Sequence, residues 1–172
     1  MPILPIDTGR YGTAEMLRVF EEEARVQRLL DVEAALALAH AEVGNIPWKD
    51  AEKIAAMAST KYVKVERVKA IEKEIKHDIA SLVRALSEVC GSSGAYVHLG
   101  ATSYDIVDTA NSLQLKDALE IISKKLAALK SILQKQAAQY KKTVMIGRTH
   151  GQHALPITLG FKFAVWGYEF EA

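Results

Sequence analysis

The sequence predicts an all-α protein: a small N-terminal helical domain followed by the first long helix of a central helical bundle. Three observations carry this. Apolar residues recur three and four apart over long runs, the period of a helix with one buried face. Strand-like alternation is nearly absent. One run, from about Asp105 to Tyr140, keeps its apolar stripe far beyond the length of an ordinary globular helix.

Each element has its own signals. After a lead containing Pro2, Pro5, Gly9 and Gly12, Thr13 is placed to cap a helix reaching about Val43. Its stripe includes Leu29, Val32, Leu36, Ala39 and Val43, and Gly44 and Pro47 end it. A short helix is expected around Asp50–Ala58. A second long helix is expected from about Val65 to Val89, with Val68, Ile71, Ile75, Ile79, Leu82, Leu86 and Val89 in rhythm until Gly91-Ser92-Ser93-Gly94 breaks it. Thr102 or Ser103 can cap the third long helix. Thr102 and Asp105 have capping-box spacing, with Asp in place of the usual Glu.

The stripe of that third helix is Leu115, Leu119, Ile122, Leu126, Leu129, Leu133, Ala137 and Tyr140. At 1.5 Å per residue it extends about 50 Å, too long to be covered by the helices before it. It asks for long partner helices, from the same chain or from other subunits. From Thr158, Leu159, Phe163, Trp166 and Phe170 begin a further apolar helix with no stop signal before Ala172. The sequence is therefore expected to be a truncated protein, with residues 1–104 as the N-terminal helical domain and 105–172 as the start of the bundle.

The bulk properties narrow the function classes. Twenty-two Lys and Arg against 21 Asp and Glu leave a net charge of +1, so no field points toward nucleic acid or an anionic membrane. The Lys-rich stretch Lys61–Lys76 is interrupted by Glu66, Glu72 and Glu74, as on a solvated helix face. No run reaches the roughly 18 apolar residues of a membrane span, and the N-terminus has no basic region leading into an apolar one. Cys90 is the single cysteine; it reads as a small buried apolar group in a reducing, cytoplasmic setting.

Three segments concentrate histidines and small polar residues: Lys76-His77-Asp78, His98 to Asp105, and Gly147-Arg148-Thr149-His150-Gly151-Gln152. In the middle one, Gly100 allows close backbone approach, and Thr102-Ser103 open a helix whose free N–H groups and two hydroxyls suit a carboxylate or phosphate. A plain cap beside a structural histidine is the alternative. In the last, His150 between glycines can act as general acid or base near neutral pH, with Arg148 and Gln152 as donors. The alternative is an exposed turn. His77 lies off the apolar stripe of the expected helix, where a solvated polar face competes with a ligand role. His40, between Ala39 and Ala41, reads as a satisfied core or interface histidine, and His153 as a neighbour of the His150 segment. No His and carboxylate cluster has metal-ligand spacing, so no metal is expected.

Two of these segments resemble the shared regions of the fumarase/aspartase superfamily. His98-x-Gly100-x-Thr102-Ser103-x-Asp105-x-x-Asp108-Thr109-Ala110 is similar to the first. Gly147-Arg148-Thr149-His150-Gly151-Gln152, continuing through Pro156 and Gly160 to Trp166, is similar to the second. Within the superfamily the adenylosuccinate lyase branch is the best match. Arg10-Tyr11 resembles its N-terminal Arg-Tyr pair, and Lys76-His77-Asp78 its Arg/Lys-His-Asp segment. Thr149-His150-Gly151 resembles its catalytic-histidine loop, which typically reads Thr-His-Leu in argininosuccinate lyases and class II fumarases. The carboxymuconate cycloisomerase branch is the nearest rival.

The resemblance implies a homotetramer with a core of long helices, sites assembled from three subunits, and elimination of fumarate from a succinylated purine nucleotide without metal or organic cofactor. It implies His150 as general acid and His77 as a second catalytic histidine, with the division of acid and base roles between them left open. It implies substrate contacts from Arg10, Tyr11, Lys76, His77, Asp78, His98, Thr102, Ser103, Thr149 and Gln152, with Thr102-Ser103 on a carboxylate and Arg10-Tyr11 near a phosphate. The catalytic base is expected on a serine-bearing loop that does not occur in these residues, so this piece by itself is expected not to turn over substrate. A non-catalytic helical scaffold, built around the long helix, is the reading from another class.

Overall fold

The structure, a computed structural model, describes residues 11–170. Its helices are α1 (Ala14–Phe20), α2 (Glu22–Glu42), α3 (Trp48–Met57), α4 (Val65–Ile75), α5 (Asp78–Cys90) and α6 (Ser103–Gln139). A 3-10 turn, Gly91–Tyr96, follows α5. Strands β1 (Val144–Thr149) and β2 (Gln152–Thr158) come next, then α7 (Leu159–Glu169). Two compact units divide the chain, Met1–Ala118 and Leu119–Ala172, and α6 passes from one into the other.

The first unit has one apolar core. Leu30 from α2, Ile54 from α3, Ile71 from α4, and Ile79, Leu82 and Leu86 from α5 are fully buried, joined by Ile106 from α6. Burying such side chains contributes about 1.5–3 kcal/mol each. Cys90 lies in the same core, where desolvation raises its thiol pKa above the ordinary value. The first turns of α6 dock through Ile106, Ala110, Gln114 and Ala118, each four residues from the last. Gln114 Nε2 donates to Val19 O at 2.8 Å, and Arg28 on α2 donates to Asp117 through Nε at 3.0 Å.

Three expectations change here. The first predicted helix is interrupted at Glu21, whose extended backbone (ψ 155°) separates α1 from α2. Its buried face is broader than the expected stripe: Leu29 is buried and Val32 and Leu36 pack against the core as expected, Val26, Leu30, Glu33, Ala37 and Ala41 are buried as well, and Val43 is 70% exposed. The second predicted helix breaks where Lys76 turns left-handed (φ 56°) and His77 becomes extended (φ −145°). Ile75, which belonged to the predicted stripe, is consequently exposed.

The long helix is observed as expected, 37 residues without a break. Most of its leucine stripe is exposed, although Leu133 is buried. Leu115 and Leu119 are 57% and 59% exposed, and Ile122, Leu126 and Leu129 are exposed as well.

The second unit corrects the all-helical expectation locally, because β1 and β2 pair as an antiparallel hairpin. After it, the Thr158 hydroxyl caps α7 by accepting from Phe161 N–H at 3.1 Å. Gly160 sits so close to the end of α6 that a Cβ there would lie 2.5 Å from Ala137 O. Phe163 packs edge-on to Trp166, with centroids 5.8 Å apart.

The core of the first unit gives a direct stability prediction. Leu30→Ala removes a side chain with no exposed surface, and urea denaturation is expected to show a loss of about 2–5 kcal/mol.

Candidate active site

The segment from His98 to Asp105 is shaped by two strained or flexible positions. His98 adopts φ 63° and Gly100 φ 70°, so the chain reverses twice before α6 begins. For histidine the left-handed region costs about 1–2 kcal/mol, and contacts from α2 hold it there. His98 Nδ1 lies 2.6 Å from Glu33 Oε1. Two turns further along α2, His40 Nε2 lies 2.8 Å from Leu99 O, and Asn45 Nδ2 is 2.9 Å from His40 Nδ1. The carbonyl can only accept and the amide nitrogen can only donate. His40 is thus hydrogen-bonded at both ring nitrogens, a satisfied histidine as its setting suggested.

At the start of α6, Asp105 Oδ2 accepts from Thr102 N–H at 2.8 Å, the reciprocal half of a capping box. This narrows the expected anion site. The Thr102 N–H is occupied and a carboxylate stands beside it, leaving the Thr102 and Ser103 hydroxyls and the next N–H groups of the turn as donors. Thr102 is exposed and Ser103 half-buried.

His77 has a role that the sequence reading did not assign. It is the N-cap of α5, its Nδ1 accepting from Ala80 N–H at 3.3 Å. Asp78 Oδ1 also lies 3.5 Å from that nitrogen. The cap bond needs a lone pair on Nδ1, so the Asp78 contact is proximity rather than a hydrogen bond, and the ring's donor is Nε2. That ring is about half exposed. Lys76 joins Lys69, Lys73 and Glu72 around a shallow surface depression, and Asp78 Oδ1 accepts from Ile79 N–H. No hydrogen bond or ion pair among the described residues joins the Lys76–Asp78 segment to the His98–Asp105 segment.

In the second unit, His150 and Gly151 form the two-residue tip of the hairpin. Thr149 pairs with Gln152 across it, and both tip residues have positive φ, 51° and 74°. That is the geometry of a type I′ turn. It presents the His150 ring to solvent, flanked by exposed Thr149 and Gln152. Arg148 and His153 are cross-strand partners, and the register shifts between Ile146 and Arg148. Gly147 occupies that irregularity because a Cβ there would lie 2.7 Å from Leu155 O. Of the N-terminal pair, Tyr11 is exposed, and Arg10 lies outside the described residues.

The site residue that sequence reasoning missed is Glu33. Its side chain is fully buried, Oε1 meets His98, and Oε2 has no hydrogen-bond partner among the described residues. Burial pushes its carboxyl pKa up, and the hydrogen bond with His98 opposes that rise. The available signal was spacing: Glu33 stands three after Leu30 and four before Ala37, on the buried face.

The family described as "Lyase" matches residues 9–172. The chain belongs to this lyase family. Among curated relatives, adenylosuccinate lyase of Pyrococcus abyssi is 61% identical over 96% of this chain, and that of Methanocaldococcus jannaschii 57% over 99%. The chain spans about 37% of the length of each. The crystal structure of β-carboxy-cis,cis-muconate cycloisomerase from Acinetobacter calcoaceticus sp. ADP1 is similar with a TM-score of 0.87 and 33% identity, over 96% of this chain and 40% of that one. The fold is thus that of the fumarase/aspartase superfamily, as the shared segments indicated. Within it the likeness to adenylosuccinate lyases exceeds that to the rival branch.

The hairpin that carries His150 depends on Gly147. Gly147→Val is expected to cost the hairpin about 1–3 kcal/mol through the clash with Leu155 O. Hydrogen exchange should show lost protection in β1 and β2, with the core amides of α2 and α5 unchanged.

Proposed function

We propose that this chain is the N-terminal part of an adenylosuccinate lyase. The parent enzyme eliminates fumarate from adenylosuccinate, giving AMP, and from the succinylaminoimidazole carboxamide ribotide of purine biosynthesis. One observation carries the reading: 57–61% identity to adenylosuccinate lyases over nearly the whole chain.

The chemistry requires a base to remove a proton from the carbon beside a carboxylate. The C–H electrons become the new C=C bond, the C–N bond breaks, and an acid protonates the departing nitrogen. His150 is the residue we assign as that acid. Its exposed ring on a rigid two-residue turn supports this, since the turn fixes the backbone while leaving both ring nitrogens accessible. His77 is the second catalytic histidine of the reading, offering Nε2 from the N-terminus of α5. Thr102 and Ser103 bind a substrate carboxylate with their hydroxyls and neighbouring N–H groups. His98 takes an anionic group next to them. Arg10, Tyr11, Lys76, Asp78, Thr149 and Gln152 complete the contacts this chain supplies. No metal or organic cofactor has a part in this scheme.

The assembly in this reading is a cytoplasmic homotetramer built through long helices, with residues 1–104 as the N-terminal domain and 105–172 opening the bundle. The exposed stripe of α6 supports it, because five apolar side chains from Leu115 to Leu129 lie along one exposed face. No helix among the described residues is long and apolar enough to cross a membrane.

The test is turnover by the complete enzyme that contains this chain. Adenylosuccinate should be converted to AMP and fumarate, followed by fumarate absorbance, and absence of both products would overturn the reading. His150→Ala is expected to lower kcat by about 10²–10⁴-fold, with helix content and assembly mass unchanged.

A further inference from the structure

Glu33 is a costly way to fill a core. Its carboxylate sits in the middle of α2 with no exposed surface, one oxygen bonded to His98 and the other bonded to nothing among the described residues. An orphaned buried polar atom gives up its hydration and gains no partner in return, which destabilises the fold. Replacing a buried ion pair by apolar groups is often neutral or stabilising. The fold alone gains little from a carboxylate at this position. The left-handed backbone of His98 adds a second unfavourable contribution at the same place.

The geometry gives both costs one purpose. α2 grips the segment before α6 at two points on one face. Glu33 holds the His98 ring, and His40, seven residues later, donates to the Leu99 carbonyl. The titratable groups with hydrogen bonds to the segment around His98 include Glu33 on the ring, His40 on the Leu99 carbonyl and Asp105 on Thr102 N–H. Among the described residues, the hydrogen bond to the imidazole comes from Glu33.

We propose that Glu33 is a positioning residue whose buried carboxylate accepts the Nδ1 proton of His98, so that Nε2 is the nitrogen offered to a phosphate or carboxylate oxygen of the substrate. With Glu33 ionised, Nδ1 keeps its proton in either charge state of the ring. Every proton the ring gains or gives up then passes through Nε2. As N–H, that atom donates to a substrate oxyanion, and the paired carboxylate behind it stabilises the positive charge on the ring. Glu33 itself touches no substrate. The idea rests on the lyase reading for what Nε2 meets, but not for the state of the ring.

Two experiments separate those parts. Nitrogen-15 NMR of histidine-labelled 172-residue chain is expected to show His98 protonated at Nδ1 throughout the neutral range. In Glu33→Met the neutral ring should change to the Nε2–H tautomer in the folded protein. A wild-type His98 with an unprotonated Nδ1 overturns the proposal, whatever the enzyme does. In the complete enzyme, Glu33→Met and the near-isosteric Glu33→Gln are expected to lower kcat/KM about tenfold or more with helix content and assembly mass unchanged, and to alter its pH profile. Variants with the wild-type kcat/KM and pH profile overturn the proposal and leave the lyase reading standing. A wild-type enzyme releasing no fumarate overturns that reading, while the NMR result still decides the tautomer.

Discussion

The contact between Glu33 and His98 ties the interior of the first unit to the place where α6 begins. Helix α6 needs a defined start, since its first turn carries Thr102, Ser103 and Asp105. Among the described residues, no strand fixes that start. It is fixed from α2, by a carboxylate on the His98 ring and an imidazole on the Leu99 carbonyl. Farther along, Gln114 and Asp117 on α6 meet Val19 and Arg28 on the N-terminal helices. The polar contacts set direction and register, while Ile106, Ala110 and Ala118 supply apolar burial. Exchanging the buried carboxylate for an apolar group would preserve the burial and lose the orientation.

The histidines illustrate a common physical rule: the partner of one ring nitrogen decides what the other can do. His40 has both nitrogens engaged and is structural. His77 spends Nδ1 on capping α5 and keeps Nε2 as a donor. His98 places Nδ1 on Glu33. His150, on the hairpin tip, is left exposed by its turn. The two histidines with one nitrogen engaged and the one held out by the turn are those the family resemblance had singled out.

Much of the fold was legible because its helices are long and periodic. The extent of α6, the Gly44 and Gly91 stops, and the Thr158 cap all follow from local chemistry. What escaped has physical reasons. The breaks at Glu21 and at Lys76-His77 involve no glycine or proline, so packing imposes them against propensity. The β1–β2 hairpin is largely exposed on both strands, which removes the in-out alternation that marks a half-buried strand. Its turn carries His-Gly, outside the usual Asn-Gly or Asp-Gly signal. Glu33 was hidden because a glutamate in a charged helix reads as surface, although its spacing from Leu30 and Ala37 places it inside. The motif segments were legible as segments; which nitrogen each histidine presents required coordinates.

On the proposed lyase reading, the ring held by Glu33 and the start of α6 together receive an anionic part of the substrate. A crystal structure of the complete enzyme with AMP and fumarate bound tests this most directly. The account predicts His98 Nε2 and the Thr102 or Ser103 hydroxyl within hydrogen-bonding distance of ligand oxygens, with Nδ1 still on Glu33. Ligands bound away from this segment, or a His98 ring turned from Glu33 toward solvent, would contradict it.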